Sequence, residues 1–267
     1  GDALAGLLGD TFLRQFAVDK LLGADGFGLV LKCRDGRGNT WAIKVAPIFK
    51  CIGKKKKQEV DKKNEQEVDE QKKKQEVGEL QREVAMLRKV HEDHDNGPHP
   101  RFVHLDSVFF NDTASALMMK MPLLKGGDLC DNLTKLNSEQ KKSVAAQLVE
   151  GLMWLQTRTP PIVHRDIKPE NIFVDIVDGS NVNVTFFDFG MARTLDGAGS
   201  AGAGASAGGA ASNGAGESKT DALKDRPKTE RRGTIGFRPP EAFTNDYGVE
   251  VDDFAVGMTM MALLFEC

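Results

Sequence analysis

Apolar and polar residues alternate with a period of two in several stretches. From Gln15 the pattern turns to strand, with Phe16 and Val18 before Leu21 and Leu22. A second strand is expected over 40–45, where alternation places Ala42 and Lys44 on one face. Ala116 to Met121 reads as another, with Lys120 expected to point to solvent. Ile172 to Val177 and Val182 to Phe187 read as a hairpin turned at Asp178-Gly179. A helical period appears over 77–91, where Leu80, Val84 and Leu87 form the inward stripe and Glu83 sits at its edge. It reappears from Ser138, the expected cap, to about Gln156, with Val144, Leu148, Leu152 and Leu155 on one face. A last apolar helix opens at Val251-Asp252-Asp253. Residues 1–14 show only an apolar scatter.

Two stretches break this pattern. Residues 54–79 hold nine lysines against eight acids, with Gln-Glu-Val recurring at 58, 66 and 75. Pairs such as Glu59/Lys63 suit a solvated helix, so 54–76 reads as a charged insert, either an exposed helix or a linker. From Gly197 to Gly216 every residue except Asn213 is Gly, Ala or Ser. Such a run lacks the apolar side chains for a core and reads as a flexible insert.

Composition narrows the classes. At 267 residues the chain is long enough for a two-lobed enzyme. The formal net charge of −3 does not point to nucleic acid. The longest apolar run, Phe254 to Phe265, is too short to span a bilayer. Cys33, Cys51, Cys130 and Cys267 lack metal-ligand spacing and read as free thiols. The chain starts without an initiator Met or signal-peptide pattern, so its N-terminus reads as a fragment boundary.

The chemistry concentrates in Val163-His164-Arg165-Asp166-Ile167-Lys168-Pro169-Glu170-Asn171. Asp166 can orient a hydroxyl and accept its proton. Lys168 can neutralise charge on a moving phosphoryl group, and Asn171 can hold a metal ion. Asp188-Phe189-Gly190 follows Asn171 by seventeen residues, at the end of an expected strand, where Asp188 can bind Mg²⁺. Gly23-Ala24-Asp25-Gly26-Phe27-Gly28-Leu29-Val30 can close a hairpin over a phosphate. Lys44 lies fourteen residues after Val30. A lysine at a strand centre is either a solvated edge residue or a phosphate ligand.

Together these strings resemble the eukaryotic-type protein kinase superfamily, with Lys168 pointing to its Ser/Thr branch. Six positions agree in order and spacing: Lys44, Glu83, Asp166, Lys168, Asn171 and Asp188. The resemblance implies an α+β, two-lobed protein-kinase fold, with a small antiparallel β-sheet lobe carrying one helix above a mainly helical lobe. The smaller lobe is expected over 15–121 and the larger over 122–267, after an extension at 1–14. The chain stops at Cys267, before the family's last helices, so it reads as a fragment or as having an abbreviated larger lobe.

The resemblance also implies ATP and Mg²⁺, and a protein substrate with a Ser or Thr acceptor. Asp166 and Lys168 take the catalytic roles, and Asn171 and Asp188 the metal. Gly23, Gly26, Phe27, Gly28, Val30, Ala42, Lys44, Glu83, Met121, Leu124, Asp128 and Phe173 line the nucleotide site. Within that set Lys44 pairs with Glu83, Met121 guards the back of the adenine pocket, Leu124 offers its backbone, and Asp128 reaches the ribose or a basic substrate. Thr234 is expected to bond the catalytic loop, Asp252 to cap a buried helix, and Glu241 to pair with an arginine from the end of the fold. One departure stands out: Asp25 occupies the place of the family's middle glycine. It favours the alternative reading, a pseudokinase acting as a nucleotide-binding or scaffolding module.

Overall fold

A computed structural model describes residues 2–25, 28–47, 77–95, 97–111, 116–179, 181–195, 234, 236–240 and 248–265. The charged insert, the Gly/Ala/Ser insert, Gly26, Phe27, Thr229, Glu230 and Glu241 lie outside these residues.

Residues 1–14 contribute two short helices, α1 (Asp2–Leu8) and α2 (Asp10–Leu13). Five antiparallel strands follow: β1 (Phe16–Asp25), β2 (Gly28–Asp35), β3 (Thr40–Pro47), β4 (Ser107–Asn111) and β5 (Ala116–Pro122), in the order β1-β2-β3-β5-β4. The β2–β3 turn is held by Asp35, whose carboxylate accepts the N–H groups of Arg37 and Asn39, each at 2.9 Å. Strand alternation separates two faces. Leu31, Cys33, Ile43, Val45 and Met118 are buried on the outer face against Leu8, Phe12 and Phe16. Val30, Ala42 and Lys44 turn the other way, toward the cleft.

Helix α3 covers 77–89 and crosses the inner side of this sheet. Leu87 and Val90 enter the main core, and Val84 and Met86 pack against it.

Lys120 is largely covered rather than pointing to solvent. Its ammonium lies 3.6 Å from the centre of the Trp41 ring and 2.9 Å from Asp106 Oδ2. A cation over an indole face keeps its electrostatic partner while its stem covers apolar surface, so a charged residue tolerates a central strand here.

The larger lobe is built on α5 (Ser138–Gln156), after the single turn α4 (Leu129–Asn132). Asn137, one residue ahead of the expected cap, closes α5 through a reciprocal pair with Gln140. Val144, Leu148, Leu152 and Leu155 are all buried, as their spacing predicts. Gly151 lets the helix touch the β-hairpin beneath it, because a Cβ there would sit 2.4 Å from the Phe186 ring. That hairpin is β8 (Ile172–Asp178) and β9 (Asn181–Phe186), flanked by β6 (Gly127–Asp128). A two-stranded pair, β7 (Ile162–Val163) with β10 (Arg193–Thr194), and helix α6 (Glu250–Phe265) complete the described lobe.

Candidate active site

A cleft of about 620 Å³ lies between the sheet and the hairpin β8–β9. Its roof is Gly23, Val30 and Ala42. Its back is Leu87, Val103 and Met121, and Phe173 forms its floor. Leu124 and Asp128 stand at its mouth. The segment joining the lobes turns at Gly126, at φ 96°. A Cβ there would meet the Val174 carbonyl oxygen at 2.2 Å, so glycine lets the segment lie against β8. Asp128 is also the N-cap of α4, accepting the Asp131 N–H at 2.8 Å. Gly28 pairs with Asp25 across the β1–β2 ladder. The expectations for Gly26 and Phe27 fall outside the described residues.

Charge is concentrated at the inner end. Lys44 Nζ lies 2.5 Å from Glu83 Oε1 and 3.5 Å from Asp188 Oδ1. Glu83 is 5% exposed, so this pair sits in a weakly screened setting where its attraction is strong. Three distant parts of the chain meet here: β3, α3 and the residues after β9. Burial pushes the Asp188 carboxyl up, but the Lys44 charge and then His164 outweigh it and hold the pKa below the usual value. Asp188 is therefore a carboxylate at neutral pH. Its backbone is left-handed, with φ 62° and ψ 76°. Arg165 shares this rare region at φ 69°. Such conformations cost energy; these two residues flank the loop that carries Asp166, while a third, Asp93, lies just past α3.

The loop between β7 and β8 holds the second group. Asn171 Nδ2 donates to Asp166 Oδ2 and to the Asp166 carbonyl, both at 2.8 Å. Its donor side is thus occupied, leaving its amide oxygen to take a cation. Thr234 donates to Asp166 Oδ1 through both its N–H and its hydroxyl, each at 3.2 Å. Lys168 donates to Thr234 Oγ1 at 2.7 Å and lies 3.4 Å from Asp166 Oδ2. The Phe187 N–H donates to the Asn171 carbonyl at 3.1 Å, which joins this loop to the strand end bearing Asp188.

The loop is fixed from below. Asp252, on α6 and 1% exposed, accepts the backbone N–H groups of His164 at 2.6 Å and Arg165 at 2.8 Å. Burial raises its pKa, and these two donors with the His164 and Arg165 charges act against that. The Arg165 Nε–H donates to the Met191 carbonyl at 2.6 Å, tying the loop to the chain after Asp188.

One cleft residue escapes a reading by alternation. Lys20 lines the cleft beside Lys32, its partner across β1–β2. Simple alternation would set Asp19 opposite Lys32. A bulge between Val18 and Lys20 shifts the register by one, and Asp19 pairs with Arg34 at 2.6 Å instead. Bulges leave little signal in single-sequence periodicity.

Such a two-lobed arrangement, with a lysine–glutamate pair and a loop carboxylate around one cleft, is that of the protein-kinase fold. Residues 44–267 match the protein kinase domain family, and the chain belongs to that family. It is 29% identical over 191 residues to serine/threonine-protein kinase DCLK2 of Ailuropoda melanoleuca, covering 70% of this chain and 20% of that protein. It is 29% identical over 192 residues to serine/threonine-protein kinase DCLK1 of Rattus norvegicus, covering 70% and 36%. It is 32% identical over 124 residues to serine/threonine-protein kinase cds1 of Schizosaccharomyces pombe, covering 45% and 24%. The chain thus spans between a fifth and about a third of the length of these relatives. They place it in the Ser/Thr branch of the superfamily. No helix among the described residues is long and apolar enough to cross a membrane.

A protein kinase domain implies ATP use and, typically, Mg²⁺. The cleft fits a nucleotide: apolar walls suit a base, and Lys44 supplies a cation at the inner end. A carboxylate and an amide oxygen, from Asp188 and Asn171, are hard donors of the kind Mg²⁺ takes.

Proposed function

We propose that this chain is an ATP-dependent protein serine/threonine kinase, transferring a γ-phosphoryl group to a protein hydroxyl. The observation that carries this reading is Lys44 between Glu83 and Asp188. It is a cation held by two carboxylates at the closed end of a nucleotide-sized cleft. Val30, Ala42, Met121 and Phe173 enclose the base, and Leu124 presents backbone groups to its edge. Gly23 and Gly28 cover the phosphates, and Asp128 meets the ribose or a basic substrate.

Asn171 and Asp188 hold Mg²⁺, which when bound neutralises charge on the phosphates. Asp166 orients the acceptor hydroxyl and takes its proton, since its carboxylate lies beside Lys168 and Asn171, and Thr234 fixes its geometry. Lys168 lies beside Asp166 and supplies positive charge there.

The test is a pair of variants read by two assays. Asp166→Asn is expected to lower phosphate incorporation into a generic basic protein by about 10²- to 10⁴-fold, with Mg²⁺–ATP binding intact. Asp188→Asn is expected to weaken Mg²⁺–ATP binding itself. Wild-type rates in both variants would end the enzyme reading. A second reading, a nucleotide-binding or scaffolding pseudokinase, draws on Asp25 in the glycine-rich hairpin. It predicts an ATP-dependent thermal shift of the wild-type chain without phosphate transfer.

A further inference from the structure

Four histidines gather where α3 ends, a place the proposed chemistry does not use. His91 and His104 have ring centres 5.3 Å apart, and His94 and His99 4.9 Å apart. Trp154 of α5 packs on His99 at 4.3 Å, and the Arg158 guanidinium lies 3.6 Å over the other part of this stack, above Trp154.

The hydrogen bonds fix the protonation state of two rings. His91 Nδ1 accepts the backbone N–H of His99 at 2.9 Å. Its proton therefore sits on Nε2, which donates to the Val103 carbonyl at 3.1 Å. His99 Nδ1 accepts the backbone N–H of Arg101 at 3.2 Å. Both rings are neutral in this arrangement. A second proton on either would turn an acceptor into a donor facing another N–H.

We propose that His91 and His99 form an acid-released latch: His91 ties the end of α3 to the segment entering β4, His99 holds that segment's own turn through the Arg101 N–H, and the segment comes away when either ring takes a second proton. The latch sits next to the cleft. Val103, which His91 holds, and Leu87, one turn before His91, both form its back wall. Glu83, the partner of Lys44, lies on the same helix. Opening the latch therefore loosens α3 and the Glu83–Lys44 pair.

Burial, more than the surrounding charges, opposes a second proton. After α3 stand Glu92, Asp93 and His94. Before β4 stand Arg101, His104 and Asp106, and on or just past α5 stand Glu150 and Arg158. The nearby carboxylates already face other groups: Glu150 lies 3.5 Å from Arg101, Asp93 3.9 Å from Arg158, and Asp106 2.9 Å from Lys120. Burial, chiefly, lowers the pKa of His91. Burial, followed by the His94 and Arg101 charges, lowers that of His99 to about 4. With the closed-state value depressed, the latch is fully stable above the ordinary histidine value of 6.5. That stability is lost as pH falls from there toward about 4.

Amide hydrogen exchange, corrected for its intrinsic pH dependence, reads this opening directly. Between pH 7.5 and 5.0, linkage through His99 alone raises the open population about thirtyfold. The amides of His99 and Arg101 are expected to lose that much protection, while the Val184 amide, held by Gln147, keeps its own. In the double variant His91→Asn, His99→Asn, acceptor oxygens that take no proton replace the rings, and the change is expected to vanish. Mg²⁺–ATP affinity of the wild type is expected to fall in step. Equal protection at both pH values, or the same thirtyfold opening in the double variant, overturns the latch. Should the double variant not fold, the wild-type exchange decides alone. Opening with constant affinity overturns the link to Glu83. The coupling rests on the nucleotide reading given above. If no ATP binds at either pH while the amides open, that reading fails and the latch stands.

Discussion

Lys168 donates a hydrogen bond to the Thr234 hydroxyl at 2.7 Å, across 66 residues of chain. The same hydroxyl donates to Asp166, so one oxygen links the loop's cation to its carboxylate. Thr234→Ala removes this link and leaves the backbone N–H of residue 234 on Asp166 Oδ1, with Asn171 still donating to Oδ2. Turnover is expected to fall about tenfold with ATP affinity unchanged, because only the orientation of the proton acceptor is disturbed. Thr234→Ser is expected to restore most of the rate. Steady-state kinetics on the two variants checks this, and equal rates in Thr234→Ala and the parent would refute it.

Gly151 is where α5 touches the β8–β9 hairpin. Gly151→Ala drives a methyl group into the Phe186 ring, a contact of 2.4 Å before any relaxation. The expected cost is about 1–3 kcal/mol, outweighing the small gain in helix propensity. A thermal melt should show a Tm lower by several degrees, and an unchanged Tm would mean that the ring moves aside freely.

Asp25 sets a negative charge in the hairpin proposed to cover the phosphates. Asp25→Gly is expected to tighten ATP binding by about twofold to fivefold and to weaken its dependence on salt. Titrations at two ionic strengths measure both. Unchanged affinity would show that the carboxylate faces away from the phosphates.

Arg165 precedes Asp166, and in the family that the chain resembles such an arginine often receives a phosphate from the stretch between the Asp-Phe-Gly at 188–190 and Glu241. Counting back from Gly233-Thr234 places Glu230 at the usual position, with Thr229 beside it. A phosphate offers more charge and more acceptors than a carboxylate. Phosphatase treatment and Thr229→Ala are each expected to lower activity, while Glu230→Gln leaves it near the parent's. Loss in Glu230→Gln alone would assign the role to a built-in acid instead.

Much of this arrangement was readable from residue order. The helix stripe Val144, Leu148, Leu152 and Leu155 is buried as its period requires. Lys44 and Glu83, 39 residues apart, meet as the family pattern implies. What escaped reading depends on contacts between distant residues. Lys120 is largely covered by Trp41, a partner on another strand. Lys20 reaches the cleft through a bulge, which shifts periodicity without marking itself in composition. Helices α1 and α2 are too short to be stable by propensity, and form against the sheet. The Asn137 cap lay one residue from the expected Ser138, since both residue types cap helices well.

The small lobe owes its outer surface to residues ahead of the glycine-rich hairpin. Phe12 stacks on Phe16 at 4.8 Å, and both set their rings edge-on to Phe109 of β4. The family match begins only at Lys44, past β1 and β2. A gene fragment cut to that match would lack β1, β2 and the first half of β3 and leave Phe109 bare, inviting aggregation. A fragment made for expression should therefore begin before α1, so that this aromatic seal travels with the cleft it backs.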